Sequence, residues 1–198
     1  MKIKQHLPLQ KRGKHCDNFA RVVCTSEVEA AMLYRKAKRK LKSINRWEEF
    51  AAQAKFYHTD RFGHTVSRPP EVGDCIRIAM PGLKNSLGGG FDWVKIRLLQ
   101  EKEEGENSQV LILRLHPCRP PGKKKPKIAH FLDEHSSNTF LLMREGKEVL
   151  ASVHGRNEEV NVQGGIWNTV RNAIVAYTGF IGMNSVQWQK FVDEIVAQ

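Results

Sequence analysis

Three groups of residues in this 198-residue chain have the types and spacing to do chemistry. The segment "SVHGRNEEVN" brings His154, Arg156 and Glu158 close together: a proton-transfer group, an anion clamp and a carboxylate. In "DCIRIAM", "FDWVKIRLL" and "SQVLILRLHP" the alternation sets Arg77, Trp93, Lys95, Arg97, Arg114 and His116 opposite the apolar residues, with no carboxylate among them. Such a face binds phosphate or carboxylate, and Trp93 is available to stack on a base or another planar ligand. The third group is Arg35, Lys36, Lys38, Arg39, Lys40 and Lys42, which fall on the polar circumference of one helical pattern. Like charges at i, i+4 repel by a few tenths of a kcal/mol per pair, so this density exceeds what solubility requires.

Each group also has a plainer explanation. Arg156 can pair with Glu158 or Glu159 while Asn157 closes an Asx turn, and cations are common on solvated strands and helices. The stretch "PGLKNSLGGGFDW" suggests a phosphate loop, but the motif GxxxxGK followed by Ser or Thr and a helix is missing. It reads instead as a flexible loop at a barrel mouth. His15, Cys16 and Cys24, His58 with His64, His116 with Cys118, and His130 with His135 give no four-ligand set, so no metal and no cofactor are expected.

The charge is unevenly distributed. Residues 1–46 hold 13 Lys/Arg against 3 Asp/Glu, a net +10, whereas residues 47–198 hold 19 against 18. Clustered charge raises the local potential and points to an anionic partner, a nucleic acid or an acidic protein. It confers no sequence specificity.

The elements that must position these groups follow from period and punctuation. Residues 1–24 lack a sustained period and read as a flexible basic arm. A helix follows, capped by Thr25 or Ser26, with Ala30, Leu33, Ala37, Leu41 and Ile44 as its stripe. A second, "RWEEFAAQAKFY", packs through Trp47, Phe50, Ala51 and Ala54. After "SRPPEVGD" the period becomes two: Ile76, Ile78 and Met80; Val94, Ile96 and Leu98; Leu111, Leu113 and Leu115. "IAHFL" is a further short strand, and "TFLLMREGKEVLASVH" a hairpin turning at Glu145, Gly146 and Lys147. Two helical patterns close the chain, through Ile166, Val170, Ala173, Ile174 and Tyr177, then through Val186, Trp188, Phe191, Val192 and Ile195 after a Ser185 cap.

The expected fold is α+β: a curled antiparallel sheet or small β-barrel of about six strands flanked by N-terminal and C-terminal helices. Residues 25–198 form a single domain, with helices over 25–60, strands over 72–155 and helices over 165–197. A chain of this length buries roughly 70% of its unfolded surface. Four scattered cysteines without a CxxC pair imply reduced thiols, and no segment reaches membrane-spanning length, so a cytoplasmic protein that engages no membrane is expected.

The order "GDCIRIAMPG", "FDWVKI", "VHGRNEEVN" resembles a family of uncharacterised bacterial proteins of the Bacteroidetes, over roughly residues 70–195. The resemblance implies a bacterial cytoplasmic protein and supplies no activity and no residue role. The expected function is therefore a non-enzymatic binding protein that engages an anionic macromolecule, nucleic acid above others, through the basic arm and helix. The first alternative is a small-molecule-binding or enzymatic β-barrel with its site at the Gly-rich loop and His154 to Glu158. The second is a protein-interaction module.

Overall fold

A computed structural model describes residues 1–50, 54–80, 85–103, 105, 107–122, 127–161 and 186–197. The fold is α+β, built on one curled, wholly antiparallel sheet. Its strands are β1 (Lys14–Val23), β2 (Lys55–Thr59), β3 (Cys75–Ala79), β4 (Asp92–Glu103), β5 (Ser108–Pro117), β6 (Ser137–Glu145) and β7 (Glu148–Glu158). They lie in the order β1-β7-β6-β5-β4-β3-β2, which leaves β1 and β2 as the edges of the open sheet. Helix α1 (Glu27–Lys42) and a helix at residues 186–195, here α2, pack on the concave side.

Seven strands stand where about six were expected, for identifiable reasons. The supposed mobile arm contains β1, which pairs with β7 along its whole length from Lys14↔Glu158 to Val23↔Glu148. As an edge strand it exposes one row of side chains, among them Phe19 and Val23, so apolar alternation is weak in its sequence. The second helix shrinks to a 3-10 turn, Ile44–Glu49, and "KFYHT" becomes β2 against β3. In the other direction "IAHFL" forms no strand: it has an isolated Leu132↔Val160 bridge and scattered backbone bonds, among them Trp93 N–H to Ala129 O at 2.7 Å and Asn161 N–H to Phe131 O at 2.8 Å. Residues 51–53, with Ala51, and 162–185, with the Ile166 to Tyr177 stripe and Ser185, lie outside the described residues.

Helix α1 forms as its sequence requires. Ser26 Oγ accepts from the Glu29 N–H at 3.1 Å, and Glu29 reaches back to the Thr25 N–H at 2.8 Å, satisfying donors at the helix start. Ala30, Leu33, Tyr34, Ala37 and Leu41 are buried on β6 and β7. Each buried leucine contributes about 1.5–3 kcal/mol. The core is closed by an aromatic cluster in which Trp47, fully buried, lies 4.9 Å from Phe140 and 5.3 Å from Phe191. Trp188 of α2 meets Phe140 edge-on at 5.2 Å.

Strand phase holds for Ile76, Val94, Ile96, Leu111, Leu113 and Leu115, all in the concave core. A bulge between Ile96 and Leu98 then turns Leu98 to the convex face, where it joins Val110, Ile112, Leu141, Met143 and Leu150. The first residues of the chain cover that patch: Ile3 and Leu7 pack on it and the His6 carbonyl accepts from Arg114.

Candidate functional site

The curled sheet and α2 enclose a small cavity of about 50 Å3. Its apolar wall includes Phe56, Ile76, Val94, Leu115 and Phe140, and its polar groups are Asp92, His130, Ser137, Asn138, Gln187 and Trp188. Among the described residues, Ser137 Oγ, Asn138 Oδ1 and Trp188 Nε1 are buried without a hydrogen-bond partner. An unsatisfied buried polar atom costs about 1–3 kcal/mol. Asn138 and Trp188 bring two of these to the concave cavity, an amide oxygen and an N–H that make an acceptor and donor pair with nothing to bond, whereas Ser137 pairs with convex Arg156 and turns its hydroxyl to the other face.

The other polar groups are tied down. Asp92 Oδ1 accepts from Asn85 Nδ2 at 2.7 Å, linking the cavity to the loop that follows β3. His130 Nδ1 accepts from the Leu132 N–H at 2.9 Å, so the neutral ring carries its proton on Nε2. Burial pushes the His130 pKa down, partly offset by Asp92. The ring stacks on Phe131 at 4.3 Å.

The segment that raised a reactive reading is divided between the two faces. His154 and Arg156 are convex. His154 Nδ1 lies 2.6 Å from Asp17 Oδ1 and Nε2 lies 3.0 Å from Ser152 Oγ, while Arg156 Nη1 reaches the same Asp17 oxygen at 2.6 Å. Arg156 therefore pairs across to β1 and not with Glu158 or Glu159. The Ser152, His154 and Asp17 relay has the connectivity that activates a serine nucleophile, yet Ser152 is only 2% exposed. It acts here as a polar tie between β1 and β7. Burial would raise the Asp17 carboxyl, but hydrogen bonds from Arg156 and His154 outweigh it and hold the pKa below the usual range. Burial lowers the His154 pKa, against the pull of Asp17.

Asn157, at φ 55°, breaks the alternation. Its side chain accepts from the Lys11 and Arg12 N–H groups at 2.7 and 3.2 Å and donates to the Leu9 carbonyl at 3.1 Å, fastening the start of the chain. Glu158 is thereby turned over Gly155, where a Cβ would stand 2.1 Å from its Oε1 and 2.7 Å from Cys16 Sγ. Gly155 pairs with Asn138, a cavity residue, and paired residues share a face, so Glu158 and Cys16 sit on the concave side. Burial raises the Glu158 pKa, and burial with the Glu158 charge pushes the Cys16 thiol up to about 12. His154, Arg156 and Glu158 do not form one pocket.

The basic groups separate in the same way. Of the helix cations, Lys38 and Lys42 both bond Glu101, at 3.1 and 2.6 Å. Lys36 and Lys40 both donate to Ala197 O at 3.3 Å, just past the end of α2, and Lys40 also to Glu194 O in its last turn, where a cation complements the helix dipole. Arg35 and Arg39 remain exposed. Arg77 lies between the rings of Tyr57 and Phe91, at 4.7 and 4.9 Å. Trp93 is 7% exposed and donates to the Gly88 carbonyl at 3.0 Å, so it offers no stacking face. Arg114 bonds Thr139 Oγ1 at 3.1 Å and the His6 carbonyl at 2.6 Å. Lys95, Arg97 and His116 of the strand group meet in an open cleft.

Sequence reading missed Asp17, Ser152, Ser137, Asn138 and Trp188 as site residues. Trp188 was legible as a packing residue on α2, whereas the orphaned state of its N–H depends on three-dimensional surroundings. No family model and no curated protein matches the chain. Among solved structures the chain is similar to Ara h 8.0201, with 9% identity over 93% of this chain and 100% of that one and a TM-score of 0.37. It is similar also to a norcoclaurine synthase point mutant of Thalictrum flavum in complex with a transition-state analogue, with 12% identity, coverage of 93% and 96%, and a TM-score of 0.37. A third similar structure, TTHA0849 from Thermus thermophilus, gives 12% identity, coverage of 91% and 97%, and a TM-score of 0.39. Identities this low and TM-scores below 0.5 leave the functional reading to the chain's own residues.

Among the described residues no cluster of three His, Cys, Asp or Glu is placed to hold a metal ion, and no helix is long and apolar enough to cross a membrane.

Proposed function

We propose that the protein binds a small, largely apolar molecule, or the apolar end of a larger one, in the concave cavity. The observation that carries this reading is the pair of orphaned polar atoms among the described residues, Asn138 Oδ1 and Trp188 Nε1, at a largely apolar wall. A few well-placed polar groups in an apolar concavity are how small-ligand sites fix orientation. The ligand would present a hydroxyl, an acceptor to the Trp188 N–H and a donor to the Asn138 amide oxygen. The enclosed volume admits only a few heavy atoms, and Met80 on the wall, unbranched and half-buried, supplies further room by changing rotamer.

Phenol is a suitable probe, with an apolar ring and a hydroxyl that both donates and accepts. The measurement is the 1H–15N resonance of the Trp188 indole during titration of the full chain. A saturable downfield shift with a Kd on the order of 1 mM is expected for a ligand of this size, weakened several-fold by Asn138→Leu. No saturable shift, or one indifferent to Asn138→Leu, would remove the proposal and assign the orphaned atoms to ordered water.

A further inference from the structure

On the convex face, away from the concave cavity and independent of its reading, a cleft of about 450 Å3 lies between β4, the loop after β2 and the loop after β5. Arg61, Lys95, Arg97 and Arg119 line it, with His116 at its edge and Glu134 as its one carboxylate. Among the described residues none of the four cations has an ion pair or a hydrogen-bonded side-chain partner, in contrast to Lys38, Lys42 and Arg114. Arg61 touches only the ring of its neighbour Phe62, at 5.0 Å. Four unpaired cations in one concavity repel one another, a cost that an anion in the cleft relieves.

Local geometry on three elements builds this arrangement. Lys95 and Arg97 alternate onto one face of β4 and stand about 7 Å apart. The bulge that follows Ile96 leaves Arg97 as the extra, exposed residue, the usual way in which a bulge aims a side chain. Gly63, at φ 93°, brings the loop carrying Arg61 against Pro121, so that a Cβ there would lie 3.3 Å from the proline ring. That contact holds together the two loops that carry Arg61 and Arg119, both of which line the cleft with the strand cations. Cys75 and Cys118, both buried, form the floor.

We propose that this cleft binds a small molecule through a diphosphate group. The formal balance is four positive groups against one carboxylate, so a single carboxylate or monophosphate ligand leaves cations uncompensated and a diphosphate does not. Lys95 and Arg97 are spaced to serve separate phosphates, and the two loop arginines can each grip an oxygen pair in the planar, two-pronged geometry of guanidinium. The volume falls in the range of small-ligand sites, about 300–1,000 Å3. A single-stranded nucleic acid would want aromatic faces to stack on. Here the floor is thiols, the walls include Pro117, Pro120 and Pro121, and the Trp93 ring lies buried beneath with its N–H bonded to Gly88.

The test is calorimetric titration of the full chain with inorganic pyrophosphate and with inorganic phosphate, at about 50 mM salt where anion contacts are strong. One pyrophosphate per chain is expected, bound at least tenfold more tightly than phosphate. Lys95→Gln with Arg97→Gln should weaken it on the order of 100-fold. Arg35→Gln with Arg39→Gln, which removes equal charge from the exposed helix surface, should leave it nearly unchanged. Arg119→Gln in the exposed loop is the substitute if the strand variant fails to fold, with a loss of about tenfold. Absence of saturable pyrophosphate binding, or equal losses in the cleft and helix variants, overturns the proposal. So does a mixed-sequence RNA oligonucleotide that displaces pyrophosphate and binds more tightly, since it would make the cleft a nucleic-acid site.

Discussion

Ser136 and Ser137 are adjacent, both buried, and predicted to respond to alanine with opposite signs. Ser136 Oγ lies 3.1 Å from Asp133 Oδ1 and 3.0 Å from the Asn157 carbonyl, and it accepts from the Glu159 N–H at 3.4 Å. Ser136→Ala strips partners from groups at the end of β7 and should cost about 1–3 kcal/mol. Ser137 Oγ has no partner, so Ser137→Ala removes a desolvated hydroxyl with the loss of one atom beside an existing cavity. The net expectation is a gain of about 1 kcal/mol, which for a domain of this size raises Tm by about 2–4 °C. Equilibrium urea unfolding with thermal scans measures both. Because Ser137 pairs with Arg156 and faces away from the cavity, Ser137→Ala should leave phenol binding unchanged. If both variants destabilise equally, Ser137 Oγ is already satisfied and the reasoning from an orphaned hydroxyl fails.

Further outcomes follow from other groups. Burial depresses the pKa of His130, His116 and His154, so the unfolded chain takes up protons that the folded chain refuses. Stability is then full above the unfolded histidine pKa of about 6.5 and falls as pH drops toward the folded values, by at most about 1.4 kcal/mol per pH unit for each histidine. Unfolding curves between pH 7 and 5 should show this slope, and His130→Gln should reduce it. Glu101→Gln frees Lys38 and Lys42, so the variant should need more salt to elute from immobilised heparin, while its Tm shifts little because exposed pairs contribute about 0–1 kcal/mol. Gly155→Ala forces a Cβ into Glu158 and Cys16 and should lower Tm by several degrees, whereas Gly73→Ala meets no atom within 4 Å and is strained only in its backbone angle.

The legible parts of the sequence were those where burial is one-sided. The α1 stripe, the concave faces of β3 to β5 and the turn at Gly146 each follow from a single local rule. Edge strands were not legible, because β1 and β2 have a half-exposed face and their residues mix polarity accordingly. Two single-residue events also defeated alternation: the bulge that sends Leu98 to the convex face and the left-handed Asn157 that sends Glu158 to the concave one. Both invert every later side chain on the strand, which is why a site inferred from spacing alone joined His154, Arg156 and Glu158 across two faces. Lys95 and Arg97 still line one cleft, Lys95 ahead of the bulge and Arg97 as its extra residue. The cleft they form needed Arg61 and Arg119, whose approach depends on loop packing against Pro121.

The concentration of positive charge in the first 46 residues looks, in sequence, like a detachable module, and the fold contradicts that separation. Residues 1–46 supply β1, α1 and much of the core, and their cations are largely engaged within the molecule: Arg21 with Glu148, Lys38 and Lys42 with Glu101, Lys36 and Lys40 with the end of α2, the chain amine with Glu145. Deleting this region therefore removes a sheet edge and the helix that covers the sheet, and loss of any ligand afterwards reports only loss of the fold. Charge removal at fixed fold separates the possibilities. If polyanion affinity resides in α1, Arg35→Gln with Arg39→Gln abolishes it and Lys95→Gln with Arg97→Gln does not. The unpaired cations of the convex cleft require the reverse, and the two variants, equal in charge lost, decide between a surface potential and a built site.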